Sequence, residues 1–261
     1  MNKIRVMNEL LSNKIAAGEV VEKVVSIVKE LVENSVDAKA TNIKVDLKEA
    51  GIREIVVTDN GIGMSRDDAP LAFQRHATSK LYTDDDLWNI SSLGFRGEAL
   101  PSIAAVSDVV LKTCEGEVGT MVHIKGGKIE KVTSSEARVG TQITVTSMFY
   151  NTPARLKHLK SPYAELANVV EYVNKMALSY PSIKFRLTND DKEILNTDGS
   201  GNQLKVIKSI YGLDVAKRML EIKNANDDYE LAGYISLPEV TRANRNHMTI
   251  LVNNRVIKNQ Y

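Results

Sequence analysis

The sequence has a single cysteine, Cys114, in 261 residues. One thiol excludes an internal disulfide framework and cannot build a zinc site. The four histidines, His76, His123, His158 and His247, are scattered without metal-ligand spacing. Charge of one sign is also lacking: 34 Lys and Arg stand against 33 Asp and Glu, a formal net charge of +1. No global field draws in nucleic acid or an anionic membrane, so any DNA contact has to come from local patches. No apolar run approaches the roughly 20 residues of a membrane span. The first residues, "MNKIRVMNELL", lack the continuous apolar core of a signal peptide. These absences point to a reducing, cytoplasmic compartment and no membrane partner. The P-loop pattern is missing too, since the one Gly-Lys pair, Gly127–Lys128, is followed by Ile129. The protein-kinase and zinc-protease patterns are likewise absent. A bound nucleotide would have to be held some other way.

What is present is the composition of an ordinary globular chain, 43% hydrophobic and 26% charged, long enough for one large domain or two modest ones. Val20, Val21, Val24, Val25, Val28, Leu31 and Val32 follow helical spacing and predict a helix over 20–36, against the weak helix propensity of valine. "NIKVDLKE" and "REIVVTD" alternate and predict two adjacent strands. A helix is expected over 69–79, then a polar segment, "YTDDDLWNISS". Strands follow at "DVVLKTC", "GTMVHIKG", "KIEKVTS" and "GTQITVTSMF". A helix over 162–179 ends at Tyr180–Pro181. "IKFRLTND" and "KEILNT" form a hairpin, and Asp198–Gln203, "DGSGNQ", reads as a linker. Beyond it come a helix over 204–211 and strand-like "YELAGYISL" and "MTILVNNRVIK". A second domain of some 60 residues ending at Tyr261 is expected to be incomplete. Helices alternating with hairpin-linked strands predict an α+β fold, with helices on one face of a mostly antiparallel sheet.

Four stretches carry candidate chemistry. "VVTDNGIGM" takes a strand into Asp59, Asn60, Gly61, Ile62 and Gly63. Alone it is a strand and a turn, because Asp-Asn-Gly is strong turn chemistry anywhere. Its two glycines also let backbone approach a planar ligand, and a carboxylate at the strand end can accept from an exocyclic amine such as adenine's. "GFRGEAL", Gly94–Leu100, is a Gly-rich loop opening a short helix: either a plain junction or a set of free N–H groups suited to phosphate. "HATSK", His76–Lys80, adds hydroxyls and a cation. In "KELVENSVDAKA", Glu30 and Asn34 stand one turn apart on a polar side continued by Glu22, Lys23, Ser26, Lys29, Glu33 and Asp37. Either they belong to a solvated face, which the segment alone favours, or a carboxylate and a carboxamide are aimed together at something. A basic cluster without acids, Arg155, Lys157, His158 and Lys160, reads as a solvated helix start or a phosphate contact.

In this order, a Glu/Asn helix, a strand ending Asp-x-Gly-x-Gly and a Gly-rich lid resemble the GHKL ATPase superfamily. The words "KIAAGEVVEK", "VKELVENSVDA", "VTDNGIGM", "RHATSKL", "GFRGEALPSIAAV" and "FYNTPARLKHLK" cover Lys14 to Lys160 nearly without a break. Within the superfamily they are similar to the MutL family of DNA mismatch-repair proteins. The later "GSGNQ…IYG" and "ILVNNRVIK" look like that family's linker and second domain. Three departures stand out: Val24 where the family usually has Pro, Lys39 where it has Gly, and Asn253-Asn254-Arg255 where it often has Asn-Gly-Arg. The last puts Asn254 at an expected positive φ.

The resemblance implies a two-layer α/β sandwich with a mixed, mostly antiparallel sheet over residues 1–200. An incomplete second α/β domain, similar to ribosomal protein S5, follows over 201–261. It implies a mismatch-repair ATPase using ATP and Mg²⁺. Glu30 would activate the water, and Asn34 would ligate Mg²⁺. Asp59 would read the adenine amine, with Gly61 and Gly63 giving the base room. Further nucleotide-binding positions are Asp37, Met64, Thr78, Ser79, Lys80, Gly94, Phe95, Arg96, Gly97, Glu98, Ala99, Leu100 and Thr141. ATP would order the lid and an N-terminal arm over residues 1–20, producing a homodimer. Turnover would be slow, because the family's phosphate-contacting lysine of the second domain lies past Tyr261. Implied partners are the mismatch sensor MutS, double- or single-stranded DNA contacted without sequence preference, and a downstream helicase and endonuclease. Arg155, Lys157, Lys160, Arg242, Arg245 and Arg255 are the DNA candidates. The competing readings are a nucleotide-binding scaffold without turnover and a topoisomerase subunit of the same superfamily.

Overall fold

The computed structural model describes residues 7, 14, 15, 17, 18, 20–88, 92–243 and 247–257. Most of the N-terminal arm expected over 1–20, and Arg245, lie outside these residues. Helix α1 spans Val24–Asp37 and buries Val24, Ile27, Val28, Leu31, Val32 and Ser35 on one stripe. It starts four residues later than the apolar spacing predicts. Lys23 is extended, and Val21 closes an earlier turn by donating to Ala17 O at 2.8 Å. The valine pattern therefore runs across two helical pieces. At the other end Ala38 N and Ala40 N donate to Asn34 O and Ser35 O. Lys39 between them sits at φ 62, the left-handed position where helices usually end on glycine.

Strands β1 (Asn42–Lys48) and β2 (Glu54–Asp59) pair antiparallel as expected, joined by a tight turn at Glu49–Gly51. Their alternation is read directly as burial: Ile43, Val45, Leu47, Ile55 and Val57 face the core. Each such side chain contributes roughly 1.5–3 kcal/mol relative to exposure. The helix expected over 69–79 contracts to α2, Asp68–Leu71. His76 at φ 63 cannot continue a helix, and its N–H donates to Gly97 O at 3.1 Å instead of to its own ladder. A single 3₁₀ turn, Asp84–Trp88, lies in the polar segment, and α3 (Ala99–Ala105) follows the Gly-rich loop.

The next four expected strands are all present: β3 (Asp108–Cys114), β4 (Gly119–Lys125), β5 (Lys128–Ser135) and β6 (Gly140–Thr146). Short α4 (Pro153–His158) leads to α5 (Pro162–Ser179), whose bounds agree with the sequence reading. The hairpin β7 (Lys184–Asn189) and β8 (Lys192–Asn196) completes one eight-stranded sheet in the order β5-β4-β3-β6-β2-β1-β7-β8. All neighbours are antiparallel except β1 and β7, which is the mixed sheet expected.

Asp198–Gln203 is a tied turn. Asp198 accepts from Ser200 N and Lys205 Nζ, and Gly201 N donates to Pro181 O. Helices α6 (Gln203–Tyr211) and α7 (Leu213–Ala216) follow, and Val206, Ile207 and Ala216 join the same core. Of the strand-like stretches beyond, "YELAGYISL" is the second strand of a hairpin and "MTILVNNRVIK" holds both strands of another. One pairs β9 (Met219–Ala225) with β10 (Glu230–Ser236), the other β11 (Ile250–Val252) with β12 (Arg255–Ile257). The turn of the latter holds Asn253 and Asn254 at φ 49 and 62, a two-residue hairpin turn of the kind asparagine tolerates.

Candidate functional site

Strand polarity gathers the motif loops at one end of the sheet. β2 finishes there with Asp59, β3 with Cys114, and β6 begins there with Gly140. The end of α1 closes over it, with Ile62 N donating to Ala38 O at 3.0 Å. Asp59 is buried, and its carboxylate is held from three sides. Ser35 Oγ donates to Oδ2 at 2.7 Å, and Gly61 N and Thr141 N donate to Oδ1 at 2.9 and 3.1 Å. A carboxylate has about four acceptor positions, so one remains for an outside donor. Thr141 Oγ1 and Thr113 Oγ1 lie 3.0 Å apart, and Met64 N donates to Thr113 Oγ1 at 2.9 Å. Met64, Thr141 and Asp59 are thus brought together as expected.

The glycines of this loop have a different first use from the one read in sequence. A Cβ on Gly61 would stand 2.6 Å from Ala38 O, and one on Gly63, at φ 73, would stand 2.1 Å from Cys114 O. The room they give is taken by protein backbone.

The polar side of α1 is not a solvated stripe. Asp37 Oδ2 accepts from Lys80 Nζ at 2.5 Å and from Gly94 N at 3.3 Å, while Oδ1 accepts from Leu93 N at 2.9 Å. Lys80 Nζ also donates to Asn34 Oδ1 at 3.0 Å. Four separate motif residues, Asn34, Asp37, Lys80 and Gly94, therefore meet at one point. Two oxygens there already hold a cation, the lysine ammonium, and such a donor set also fits a hard divalent metal. Glu30 is part-buried one turn back, its carboxylate 3.5 Å from Lys29 Nζ. Glu33 is pushed up to about 7 by burial, with Lys29 opposing and Glu30 adding to the shift. Tyr172 of α5 donates to Glu33 at 3.4 Å, and its own hydroxyl is pushed well up by the same burial.

The lid residues divide. Thr78 Oγ1 accepts from Lys80 N, and Ser79 is exposed. Arg96 stands 5.6 Å from the ring centre of Phe95. Glu98 lies 3.9 Å from Arg75 and 3.6 Å from His76, linking "HATSK" to the Gly-rich loop whose Gly97 O receives His76 N. Ala99 and Leu100 open α3.

Of the DNA candidates, Lys157, Lys160 and Arg242 are exposed. Arg155 departs from that role. Its guanidinium is turned inward, donating to Lys14 O at 3.0 Å with the other terminal nitrogen buried. Arg255 donates to Ser92 O at 2.8 Å, so it faces the chain just before the lid. Ser35, Thr113 and Tyr172 are not among the sequence candidates, and Glu33 is read there only as part of the polar side. Ser35 had a signal, since a hydroxyl at a position the helical period assigns to the core needs a partner.

Residues 22–157 match the family described as histidine kinase-, DNA gyrase B- and HSP90-like ATPase, and residues 207–261 match the DNA mismatch repair protein C-terminal domain. The DNA mismatch repair protein MutL of Lactococcus lactis subsp. cremoris (strain SK11) is 53% identical over 261 residues, covering 99% of this chain and 40% of that protein. The chain belongs to the MutL mismatch-repair ATPase family. MutL of Lactiplantibacillus plantarum is 51% identical over 260 residues, covering 100% of the chain and 38% of the relative. The chain therefore spans about two fifths of the length of the curated MutL proteins it matches. Among solved structures, the N-terminal domain of a DNA repair protein superposes with a TM-score of 0.80 at 27% identity, covering 95% of this chain and 78% of that one. The Aquifex aeolicus MutL ATPase domain complexed with ADP gives 0.70 at 27% identity, covering 92% and 85%. Among the described residues no helix is long and apolar enough to cross a membrane.

Proposed function

We propose that residues 1–200 form the ATP-hydrolysing switch of a mismatch-repair protein, with residues 201–261 opening its second domain. The observation that carries this is Asp37. One part-buried carboxylate receives Lys80, Leu93 and Gly94, and so joins the Glu30/Asn34 helix to the lid. The MutL neighbour complexed with ADP supports nucleotide binding by a chain of this fold.

On this reading Asp59 presents its remaining acceptor position to the adenine amine, beside Thr141, whose N–H it already holds. Asn34 Oδ1 would hold Mg²⁺, which supplies charge neutralisation at the phosphates when bound. Lys80, now on Asn34 and Asp37, turns its ammonium to phosphate oxygens, and the backbone of 94–98 donates to them. Glu30 takes a proton from the attacking water. ATP binding orders the lid and the N-terminal arm, two copies dimerise, and slow hydrolysis resets the switch. The switch couples MutS to strand incision and removal by an endonuclease and a helicase, with DNA held through its phosphates without sequence preference.

The test is calorimetric titration of the chain with a non-hydrolysable ATP analogue and Mg²⁺, beside Asp59→Ala. Binding lost in the variant supports the pocket; equal binding in both removes Asp59 from it. Turnover by Glu30→Ala equal to that of the unaltered chain would favour a binding scaffold.

A further inference from the structure

The opposite end of the same sheet carries a second site. There the turn between β4 and β5, the segment after β6 and the residue Lys14 enclose a cavity of about 330 Å³, lined by Lys14, Lys125, Lys128, Glu130, Tyr150 and Asn151. Three of the lining residues are lysines and one is a glutamate. Among the described residues neither Lys14 nor Lys128 has a carboxylate within 4.0 Å, and Lys125 shares Asp108, at 3.6 Å, with His123. The turn's own N–H groups are spent inside the protein, Gly126 N on Ser107 O and Gly127 N on Ala104 O. What the cavity offers an anion is therefore lysine charge. It also offers an aromatic face: Tyr150 is half exposed, and Lys125 Nζ stands 5.8 Å from its ring centre.

The walls are fixed in place. Asn151 Nδ2 donates to Ala105 O at 2.9 Å. Lys14 is pinned through its carbonyl by Arg155, whose guanidinium lies against Gly18; a Cβ there would stand 2.0 Å from it. Arg155 is thus a positioning residue for Lys14. Exposed Lys157 follows Arg155 on α4.

We propose that this cavity takes phosphate groups of single-stranded DNA, with Tyr150 offering a stacking face to an adjacent base. Cationic grooves beside exposed aromatic rings are how single strands are held without sequence preference. The inference rests on the sequence-independent DNA binding proposed above and locates it away from the nucleotide end.

The test uses the full 261-residue chain and a fluorescently labelled oligothymidylate. Lys125→Glu with Lys128→Glu is compared with Lys184→Glu with Lys192→Glu, an equal charge change on exposed residues of the other edge of the sheet. The cavity variant is expected to lose at least about tenfold in affinity at low salt, with a salt slope shallower by about 1.4 for two lost contacts at 0.7 each. The control pair should lose little. Nucleotide titration and thermal melting of both variants report that the fold is kept. No binding by the unaltered chain overturns both the DNA reading and the site. Equal losses in the two variants overturn the site alone. Inorganic phosphate as titrant separates the sources. Resonance shifts at the 125–128 turn with phosphate, combined with unchanged oligonucleotide affinity in the cavity variant, would make this a free-phosphate site and overturn the proposal. Tyr150→Leu should weaken the oligonucleotide and leave phosphate binding unchanged.

Discussion

The two ends of the eight-stranded sheet are built from opposite charges. At the end proposed to bind nucleotide, Asp59 and Asp37 are drawn inward and each accepts three donors. At the far end, lysines stand around a cavity with one carboxylate on its lining. A formal net charge of +1 hides this sorting. Antiparallel pairing does the sorting, since each strand delivers its two flanking loops to opposite ends. Loops distant in sequence, after Asp59 and before Gly140, meet at one end, and the turn at 125–128 meets the 147–151 segment at the other.

The comparison breaks most sharply at Glu30. Glu30→Ala is expected to cut ATP turnover by about 10²–10⁴-fold, the range of a lost general base. Binding of a non-hydrolysable analogue should be kept, because Asp59, Asp37 and Lys80 are untouched. Single-strand binding at the far end should also be unchanged. Turnover and analogue binding falling together would mean that Glu30 holds the site's shape and is no base.

A pair of glycine substitutions tests how tightly each end is built. Gly63→Ala forces a methyl group to within 2.1 Å of Cys114 O at φ 73. Overpacking and backbone strain together should cost about 2–6 kcal/mol. Gly127→Ala, at φ 83, finds its nearest atom 3.6 Å away, so only the backbone term of about 1–3 kcal/mol applies. Denaturant melts of the two variants should therefore differ, with the nucleotide end the less forgiving. Equal losses would show that the loop after Asp59 moves aside.

Sheet order follows from features the sequence displays poorly. Alternation in "NIKVDLKE" and "REIVVTD" predicted the strands and their inward residues, but the parallel pairing of β1 with β7 joins segments some 140 residues apart. Asp59, Asn34 and Asp37 stand out in the sequence through the order of the motifs, since each segment alone reads as a turn or a solvated face. The site was illegible where the partner came from elsewhere: Tyr172 reaches Glu33 across a helix interface, and Arg155 finds Lys14 at the other end of the domain. The helix expected over 69–79 failed for the same reason, because His76 gives its N–H to the lid. Periodicity reports what a segment can do alone, and these residues are committed to partners.

Ser35 sharpens the nucleotide end by a smaller amount. Ser35→Ala removes a 2.7 Å donor to Asp59 and leaves a buried carboxylate short of one partner. A loss of about 1–3 kcal/mol is expected in a denaturant melt, with analogue affinity reduced alongside it as Asp59 loses its setting. Loss of stability with unchanged affinity would separate the carboxylate's structural role from its ligand role.

The last effect is a pH dependence at Glu33, on the helix that carries Glu30 and Asn34. Burial raises Glu33 from an ordinary 4.5 to about 7, so the folded protein holds a proton there that the unfolded chain gives up. Stability from this group is fully present below 4.5 and is lost as pH rises through about 7. Glu33→Gln keeps the shape and cannot ionise. The difference in melting temperature between this variant and the unaltered chain should be constant below 4.5, shift in the variant's favour up to about 7, and level off above. Tyr172→Phe removes the hydroxyl that favours the carboxylate, and should steepen the same shift. A flat difference across the range would mean that Lys29 and Tyr172 hold Glu33 charged in the folded protein.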